Sequence, residues 1–314
     1  MRSAKTRITV LLFIIPILSF LAACVTTPSP APITRPKLEP TITSNTEKLN
    51  VHFIEMEFFG DAILIDLGRT EILIDGGFGN SGVASYLQNY VDGPLEAMVV
   101  THPHPDHFGG LIEVLKRFEV NQIWLNGDIP PEGEPYIERY KYFETLVSTE
   151  GASIHEARGG QTIDIGILSF AVLHPDTLVE HKNVSLGSRD ISMNNNSIVL
   201  RLRYGNISFL FTGDIHKETE NKILRAGLEV RADILKVGHH GSALSSTERF
   251  LKSVKPKVAV YMAGEKQPEQ GPKKPHQETI AALKKVGAEV YGTTTHATII
   301  ISTDGITYTV ETQK

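Results

Sequence analysis

Three histidines and an aspartate lie within a six-residue segment, at His102, His104, Asp106 and His107. They directly follow the apolar run 97–100, which predicts a buried strand that ends where these side chains begin. Imidazole and carboxylate groups together suit Zn²⁺ and the neighbouring transition metals. Two interspersed prolines stiffen the segment, which lowers the entropy lost when the ligands are fixed. The segment therefore indicates a metal-binding loop at the carboxyl end of a strand.

Two further apolar runs also end in groups that could bind a metal. The run 207–212 precedes Asp214, and the run 233–237 precedes His239 and His240. Open α/β sheets place their binding sites at the carboxyl ends of their strands, and glycines beside the ligands allow close approach of backbone and substrate. Three such strand ends in one chain favour one shared site over isolated structural residues.

The remaining pattern predicts short strands that alternate with helices. Early strands are expected at 51–55, 62–67 and 71–74, with a hairpin turn at 66–70. Such hairpins, followed by strand–helix alternation, indicate two sheets with helices packed outside. Further strands are predicted at 120–125, 167–173, 197–204, 258–262, 298–302 and 306–311, and helices at 83–90, 110–118, 136–149, 217–226, 247–254 and 277–286.

These motifs resemble the metallo-β-lactamase superfamily, and more narrowly the hydrolase domain of ComEC-type competence proteins. The resemblance covers residues 49–314 and implies an α/β (α+β) fold, one αββα sandwich of two mixed sheets with helices outside. The metal site is then expected at the edge between the two sheets. Besides the metal loop, the matching stretches are 60–65, 72–77, 194–202, 209–214, 235–242 and 254–257.

The resemblance also implies two divalent ions, Zn²⁺ or Mn²⁺. Water bound to such a metal loses its proton near neutral pH and becomes the nucleophile, and a second ion can stabilise the developing charge on the substrate. The expected ligands are His102 and His104 for the first ion, Asp106, His107 and His240 for the second ion, and Asp214 as a bridge.

Three residues are expected to act beside the ions. Asp106 could orient the attacking water, and His239 is expected to face the substrate, although either histidine of the 239–240 pair could be the ligand. Asp75 matches the superfamily aspartate that braces the ligand loop. The isolated His216 is interpreted as a surface or structural residue.

The first ion lacks one ligand that most of the superfamily supplies. A further histidine usually lies between the first cluster and Asp214, whereas this chain has asparagines at 194–196. Asn195, Asn196 or His174 could fill the position, and an amide oxygen is a weaker and harder ligand than imidazole. The first site is therefore expected to bind its ion weakly or to prefer Mn²⁺.

Two loops are candidates for the walls of the site. Lys274 and His276 lie in a loop that resembles a substrate-side loop of the family, and with Lys266 this loop forms the best local basic patch. A solvated charged loop explains it equally well. Phe58 and Phe59 replace a turn that is usually smaller, so they predict a reshaped cleft edge, with core packing favoured over stacking on a substrate.

The amino-terminal residues predict a membrane anchor. Three basic residues precede the apolar run 8–23, which is short for a membrane span and typical of a secretory leader. The run ends at Cys24 in a pattern that resembles the lipobox of bacterial lipoproteins, which implies cleavage after residue 23 and lipidation of Cys24. An uncleaved anchor helix is the alternative. Residues 24–48 are rich in Pro and Thr and predict an extended tether, so the domain is expected to be lipid-anchored and extracytoplasmic.

The composition of the chain limits which nucleophiles and which substrates are expected. Cys24 is the only cysteine, so after lipidation no thiolate nucleophile remains. Beyond residue 23 the chain has 28 Lys and Arg against 36 Asp and Glu, so its bulk charge does not attract polyanions.

Three functional hypotheses remain. The first is hydrolysis of phosphodiesters, including competence-related DNA. The second is hydrolysis of a lactone, thioester or β-lactam, and the third is ligand binding without turnover. The expected partners are the membrane and a small-molecule or nucleic-acid substrate, and no protein partner can be inferred from the sequence.

Overall fold

The computed structural model describes residues 47–178, 191–266 and 273–314. The predicted leader, the predicted lipidation site Cys24 and nearly all of the predicted tether lie outside these residues. Within the described ranges, no helix is both long and apolar enough to cross a membrane. Among the described residues, the first strand begins at Leu49.

Two mixed sheets form the centre of the described chain. The first sheet has the order β15-β14-β1-β2-β3-β4-β5-β6, and the second has the order β13-β12-β11-β10-β9-β8-β7. The strands are β1 (Leu49–Phe53), β2 (Ile63–Leu67), β3 (Thr70–Ile74), β4 (Ala97–Val100), β5 (Gln122–Leu125), β6 (Ser153–Glu156), β7 (Thr162–Ile165), β8 (Leu168–His174), β9 (Val199–Tyr204), β10 (Ile207–Phe211), β11 (Ile234–Lys236), β12 (Val258–Tyr261), β13 (Glu289–Gly292), β14 (Ile299–Thr303) and β15 (Tyr308–Thr312).

Helices cover the outer faces of this pair of sheets. The helices are α1 (Val83–Leu87), α2 (Pro105–Phe108), α3 (Leu111–Val114), α4 (Ile137–Thr149), α5 (Lys217–Arg225), α6 (Glu248–Val254), α7 (Gln277–Lys285) and α8 (Thr293–His296), with a 3₁₀ turn at Gly238–Gly241. The helices expected at 83–90 and 110–118 are shorter than predicted, and β6, β7 and β13 were not predicted.

Strand alternation explains the layered arrangement. On β10, Phe209 and Phe211 belong to the apolar cluster shared with the first sheet, whereas Leu210 belongs to the cluster under α5, α6 and α7. Neighbouring β11 divides in the same way, with Ile234 in the first cluster and Leu235 in the second. Because successive side chains of a strand point to opposite faces, the second sheet is buried on both sides. This confirms the predicted sandwich.

Parallel pairing brings the candidate ligands together. Strand β4 runs parallel to β3, and β10 runs parallel to β11. The carboxyl ends of parallel neighbours lie at one edge of a sheet. The loops that follow β3 and β4 in the first sheet therefore meet the loops that follow β10 and β11 in the second.

Candidate metal centre

The first ligand loop turns directly into a short helix. His102 follows β4, and His104 is the residue that precedes α2 in extended conformation. Pro105 occupies the first helical position, where its missing N–H has no intrahelical partner to lose. Asp106 and His107 are the next two residues, so one helical turn fixes both side chains. The sequence predicted the loop but not this helix.

Four side chains of both sheets converge on one point. Asp106, His107, Asp214 and His240 place ligand atoms within 4.8 Å of one another. His240 Nε2 lies 3.0 Å from Asp214 Oδ2 and 3.3 Å from Asp106 Oδ2. His107 Nε2 lies 3.4 Å from Asp214 Oδ2. These are the ligands that the resemblance assigned to the second ion, together with the expected bridge.

The polar atoms at this point fit a divalent cation. His107 Nε2, His240 Nε2 and Asp214 Oδ1 are buried and make no hydrogen bond. Buried polar atoms nearly always have a partner, and an unsatisfied atom costs about 1–3 kcal/mol. An ion between the two imidazoles and two carboxylates would satisfy all three atoms. This mixed nitrogen and oxygen set suits Zn²⁺ and Mn²⁺.

The electrostatics of the cluster also call for positive charge. Burial alone would lower the pKa of His240, but the carboxylates of Asp214 and Asp61 outweigh it and raise this pKa to about 10. Burial likewise opposes protonation of His107, yet Asp214 and Asp75 raise its pKa. The pKa of Asp214 is lowered despite burial, because both imidazoles lie against it. Protons on the histidines here supply charge that a bound cation would supply instead.

Asp75 holds the ligand loop from behind. Its Oδ1 accepts from the Thr101 backbone N–H at 2.8 Å, and its Oδ2 accepts from Thr101 Oγ1 at 2.7 Å. The same Oδ2 lies 2.8 Å from His107 Nδ1. A carboxylate on the outer nitrogen fixes the tautomer and orientation of a ligating imidazole. Asp75 thus occupies the position that a bracing aspartate requires.

A second carboxylate supports His240, and sequence analysis did not single it out. Asp61 Oδ1 lies 3.1 Å from His240 Nδ1, which also approaches the Met262 carbonyl at 3.0 Å. Asp61 Oδ2 lies 2.6 Å from Lys236 Nζ, with both side chains at most 2% exposed. Although burial opposes it, the charges of Lys236 and His240 lower the pKa of Asp61. The available signal was Lys236 itself, the only basic residue within the apolar run 233–237.

His102 and His104 lie beside the four-residue cluster and do not belong to it. Their nearest ring nitrogens, His102 Nε2 and His104 Nδ1, are 2.9 Å apart. The His102 ring centroid is 4.1 Å from that of His107. Burial lowers the pKa of His102 well below its ordinary value, and the neighbouring histidines add to the shift. A first ion at this pair stays a prediction.

The residues considered as the missing ligand have structural contacts. His174 Nε2 lies 2.7 Å from the Asn195 carbonyl oxygen, and Asn195 Oδ1 accepts from the His216 backbone N–H at 3.0 Å and from Thr219 Oγ1 at 2.9 Å. Asn196 donates its side-chain amide to Asp128 at 2.8 Å. His174 and Asn195 therefore use these atoms to brace the turn at 194–197, and a third ligand for the first ion stays a prediction.

His239 lies at the rim of the cluster and is held by a residue that sequence analysis treated as structural. His239 Nε2 is 3.7 Å from Asp214 Oδ2, and its side chain is 16% exposed. Its Nδ1 is 2.7 Å from His216 Nε2, and the two rings stack with centroids 4.8 Å apart. Burial lowers the pKa of His239 well below its ordinary value. The neutral ring is thus fixed with one nitrogen toward the cluster.

The predicted substrate loop closes one side of the site. The Phe59 ring centroid lies 4.1 Å from that of His240, and Lys274 Nζ lies 4.8 Å above the Phe59 ring. Burial lowers the pKa of Lys274, against the opposing effect of the nearby aspartates. His276 Nδ1 accepts from the Ala243 backbone N–H at 3.0 Å. Lys274 is therefore near the cluster, whereas His276 braces the loop that follows the 3₁₀ turn.

Comparison with known proteins identifies the class. Residues 56–265 match the model of the Metallo-beta-lactamase superfamily. Because this match covers more than half of the chain, the chain belongs to that superfamily. The fold and the His/Asp cluster together support metal-dependent hydrolysis, the activity that the sequence predicted at this coarse level.

Its relatives include ComEC-type competence proteins. The chain is 31% identical over 207 residues to ComE operon protein 3 of Bacillus subtilis (strain 168), covering 65% of this chain and 24% of that protein. It is 29% identical over 235 residues to Recombination protein 2 of Haemophilus influenzae, covering 74% and 25%. The chain thus spans about a quarter of the length of these relatives.

A solved structure shares the fold. The crystal structure of YhfI from Bacillus subtilis, a metallo-beta-lactamase fold protein, aligns with a TM-score of 0.54 and 16% sequence identity. The alignment covers 82% of this chain and 100% of that one.

Proposed function

We propose that this protein is a metal-dependent phosphodiesterase whose substrates include DNA. The observation that carries the proposal is the convergence of Asp106, His107, Asp214 and His240 with unsatisfied atoms aimed at one point. The competence relatives favour a phosphodiester substrate over other esters, because this fold by itself does not select among them.

Some side chains of the site would bind the metal ion, and others would orient the water or hold a proton near the substrate. A divalent ion at the cluster would supply Lewis-acid polarisation and an acidified water. Asp106 is the most exposed of the four ligands, at 20% of its side chain, so its carboxylate can also orient a water on the open side. His239 presents Nε2 at the same rim, where it can hold a proton near a departing oxygen. Lys274 adds positive charge on the side of Phe59.

We further propose that the domain is displayed outside the cytoplasm on a lipid at Cys24. The support is the sequence alone: a basic start, a short apolar run and one cysteine at its end. Metabolic labelling with a radioactive fatty acid tests it. Wild type should be labelled and Cys24→Ala should not, whereas an unlabelled wild type would favour the uncleaved helix.

The enzymatic proposal is tested with the full chain, purified in detergent without chelator. Bis-p-nitrophenyl phosphate and single-stranded DNA are supplied with Mn²⁺ or Zn²⁺, and wild type is compared with His107→Ala. The matched control is His155→Ala, because His155 stacks on Trp124 away from the cluster. We expect hydrolysis that is lost in His107→Ala and retained in His155→Ala.

Other outcomes separate the competing hypotheses. If wild type binds metal stoichiometrically but hydrolyses neither diester, the phosphodiesterase proposal fails. Turnover of a lactone, thioester or β-lactam would then identify a different ester class at the same site. Full metal occupancy without turnover of any ester would support the binding hypothesis.

A further inference from the structure

Near the metal cluster, two stacked aromatic rings have one cation at each end. Phe58 and Phe78 stack with ring centroids 6.3 Å apart. Lys266 Nζ lies 5.1 Å above the Phe58 ring, and the Arg139 guanidinium lies 5.8 Å from the centre of the Phe78 ring. Phe78 is 38% exposed, and Lys266 is 58% exposed. We call Lys266, Phe58, Phe78 and Arg139 the aromatic ledge.

The ledge is joined directly to the ligand helix. Phe58 precedes Gly60 and Asp61, and the Asp61 backbone N–H donates to the Asp106 carbonyl at 3.1 Å. Phe78 follows Gly76, whose N–H donates to the His107 carbonyl at 2.7 Å. Any Cβ at position 60 would lie 2.3 Å from the Asp106 carbonyl oxygen. The ledge therefore begins where α2 presents its two metal ligands.

We propose that the aromatic ledge binds the part of a single-stranded nucleic acid that flanks the hydrolysed phosphodiester. This inference rests on the proposed phosphodiesterase function and narrows its substrate class. Phe58 and Phe78 contact bases, while Lys266 and Arg139 contact the neighbouring phosphates. Aromatic rings together with neighbouring cations are the combination that binds single strands irrespective of sequence.

The chemistry of the ledge favours a single strand over other anions. A duplex keeps its bases paired and stacked, so their faces are not offered to protein rings. A polyanion without planar rings would gain from the cations alone, and the net charge of −5 gives no general attraction to it. The ledge supplies two cations locally, Arg139 and Lys266, of which Lys266 is also paired with the exposed Glu57 carboxylate.

Binding and hydrolysis are measured separately to test the proposal. Fluorescence anisotropy with a labelled oligothymidylate and the full chain in chelator reports binding without cleavage. Phe78→Ala should raise the Kd by about 5- to 150-fold, the range for loss of one base-stacking ring. Tyr142→Ala is the matched control, because Tyr142 is 47% exposed and Lys116 Nζ lies 5.6 Å from its ring. Its Kd should stay within about two-fold of wild type.

A second variant guards against loss of folding at the half-buried rings. Lys266→Gln with Arg139→Gln keeps both phenylalanines, and the slope of log Kd against log salt should fall by about 1.4, at roughly 0.7 per phosphate contact. The proposal is refuted by an unchanged slope of log Kd against log salt, or by a rise in Kd for Tyr142→Ala equal to that for Phe78→Ala. Equal affinity for a duplex of the same length would also refute it.

The two proposals fail in different ways. If wild type binds the oligonucleotide but hydrolyses no diester, the ledge stands and the phosphodiesterase proposal fails. If wild type hydrolyses bis-p-nitrophenyl phosphate but does not bind the oligonucleotide, the ledge is wrong and the phosphodiesterase proposal stands. If both hold, Phe78→Ala should lower the ratio of oligonucleotide hydrolysis to bis-p-nitrophenyl phosphate hydrolysis.

Discussion

Replacing Lys236 with methionine would remove the ammonium partner of buried Asp61 and leave this carboxylate with the His240 imidazole, 3.1 Å from Oδ1. The Lys236 ammonium lies 2.6 Å from Asp61 Oδ2, and the two side chains are 1% and 2% exposed. Removal of one member of a buried pair leaves an uncompensated charge, which costs about 3–5 kcal/mol. Methionine keeps most of the volume of lysine, so the loss should come from the charge rather than from a cavity.

The companion change shows whether the charge is responsible. Asp61→Asn together with Lys236→Met removes both charges, so the double variant should recover most of the stability that Lys236→Met loses. The double variant still loses the carboxylate that faces His240 Nδ1 at 3.1 Å. Loss of such a contact on the outer nitrogen of a ligand typically weakens metal affinity about 10- to 100-fold. The double variant should therefore recover stability while its metal affinity stays below that of wild type.

The assay is urea unfolding of metal-free protein, with metal affinity measured by competition against a chromogenic chelator. Lys257→Met is the control, because Lys257 Nζ lies 3.0 Å from Asp233 Oδ1 while its side chain is 63% exposed. An exposed pair contributes about 0–1 kcal/mol. If Lys236→Met costs no more than Lys257→Met, or if the double variant is less stable than the sum of its parts, the buried-pair argument is refuted.

Three other perturbations have defined outcomes. Burial and neighbouring carboxylates raise the pKa of Glu71 to about 7, whereas burial lowers the pKa of His52 to about 4. Raising the pH therefore lowers the unfolding free energy through Glu71 between about 4.5 and 7 and raises it through His52 between about 4 and 6.5. Glu71→Gln and His52→Gln should therefore tilt urea-unfolding profiles against pH in opposite directions, by about 3 kcal/mol each. Chelator should lower the unfolding free energy of the metal-loaded protein by about 2.7 kcal/mol at a free ion concentration of 100 Kd, and His240→Ala should show no such loss. Gly60→Ala should lose metal affinity and stability because its Cβ meets the Asp106 carbonyl, whereas Gly82→Ala, with no atom within 4 Å, tests the cost of positive φ alone.

Periodicity predicted most central elements because apolar runs determine them. Strand β4 has the predicted bounds, 97–100, and the predicted hairpin turn at 66–70 joins β2 to β3, with Leu67 paired with Thr70. Strands β6 and β13 lie at sheet edges and are largely exposed or half-buried, so they lack the apolar run that identifies a central strand. Helix α2 could not be predicted from periodicity, since its four residues include two metal-ligand candidates and a proline.

Sequence spacing identified the groups that could bind metal but not the contacts that orient them. Asp75, Asp106, Asp214 and His240 each follow a strand end, so topology alone brings them together. Asp61 and His216 are different because they meet their partners only through tertiary packing, at residues 179 and 23 positions away. A lone aspartate after a glycine carries no local signal of such a partner. Asp75 could therefore be predicted from the sequence as a support for a ligating imidazole, whereas Asp61 could not.

Charge accounting explains why this cluster should select a divalent ion. Asp61, Asp75, Asp106 and Asp214 bring four carboxylates to one buried region, and Lys236 neutralises one of them. The raised pKa values of His107 and His240 supply two further positive charges as protons. A ligating imidazole must give up the proton on its coordinating nitrogen. One divalent ion can therefore replace those two protons without changing the net charge of the cluster. A monovalent ion would leave the cluster one unit more negative, in a region that burial makes costly for charge.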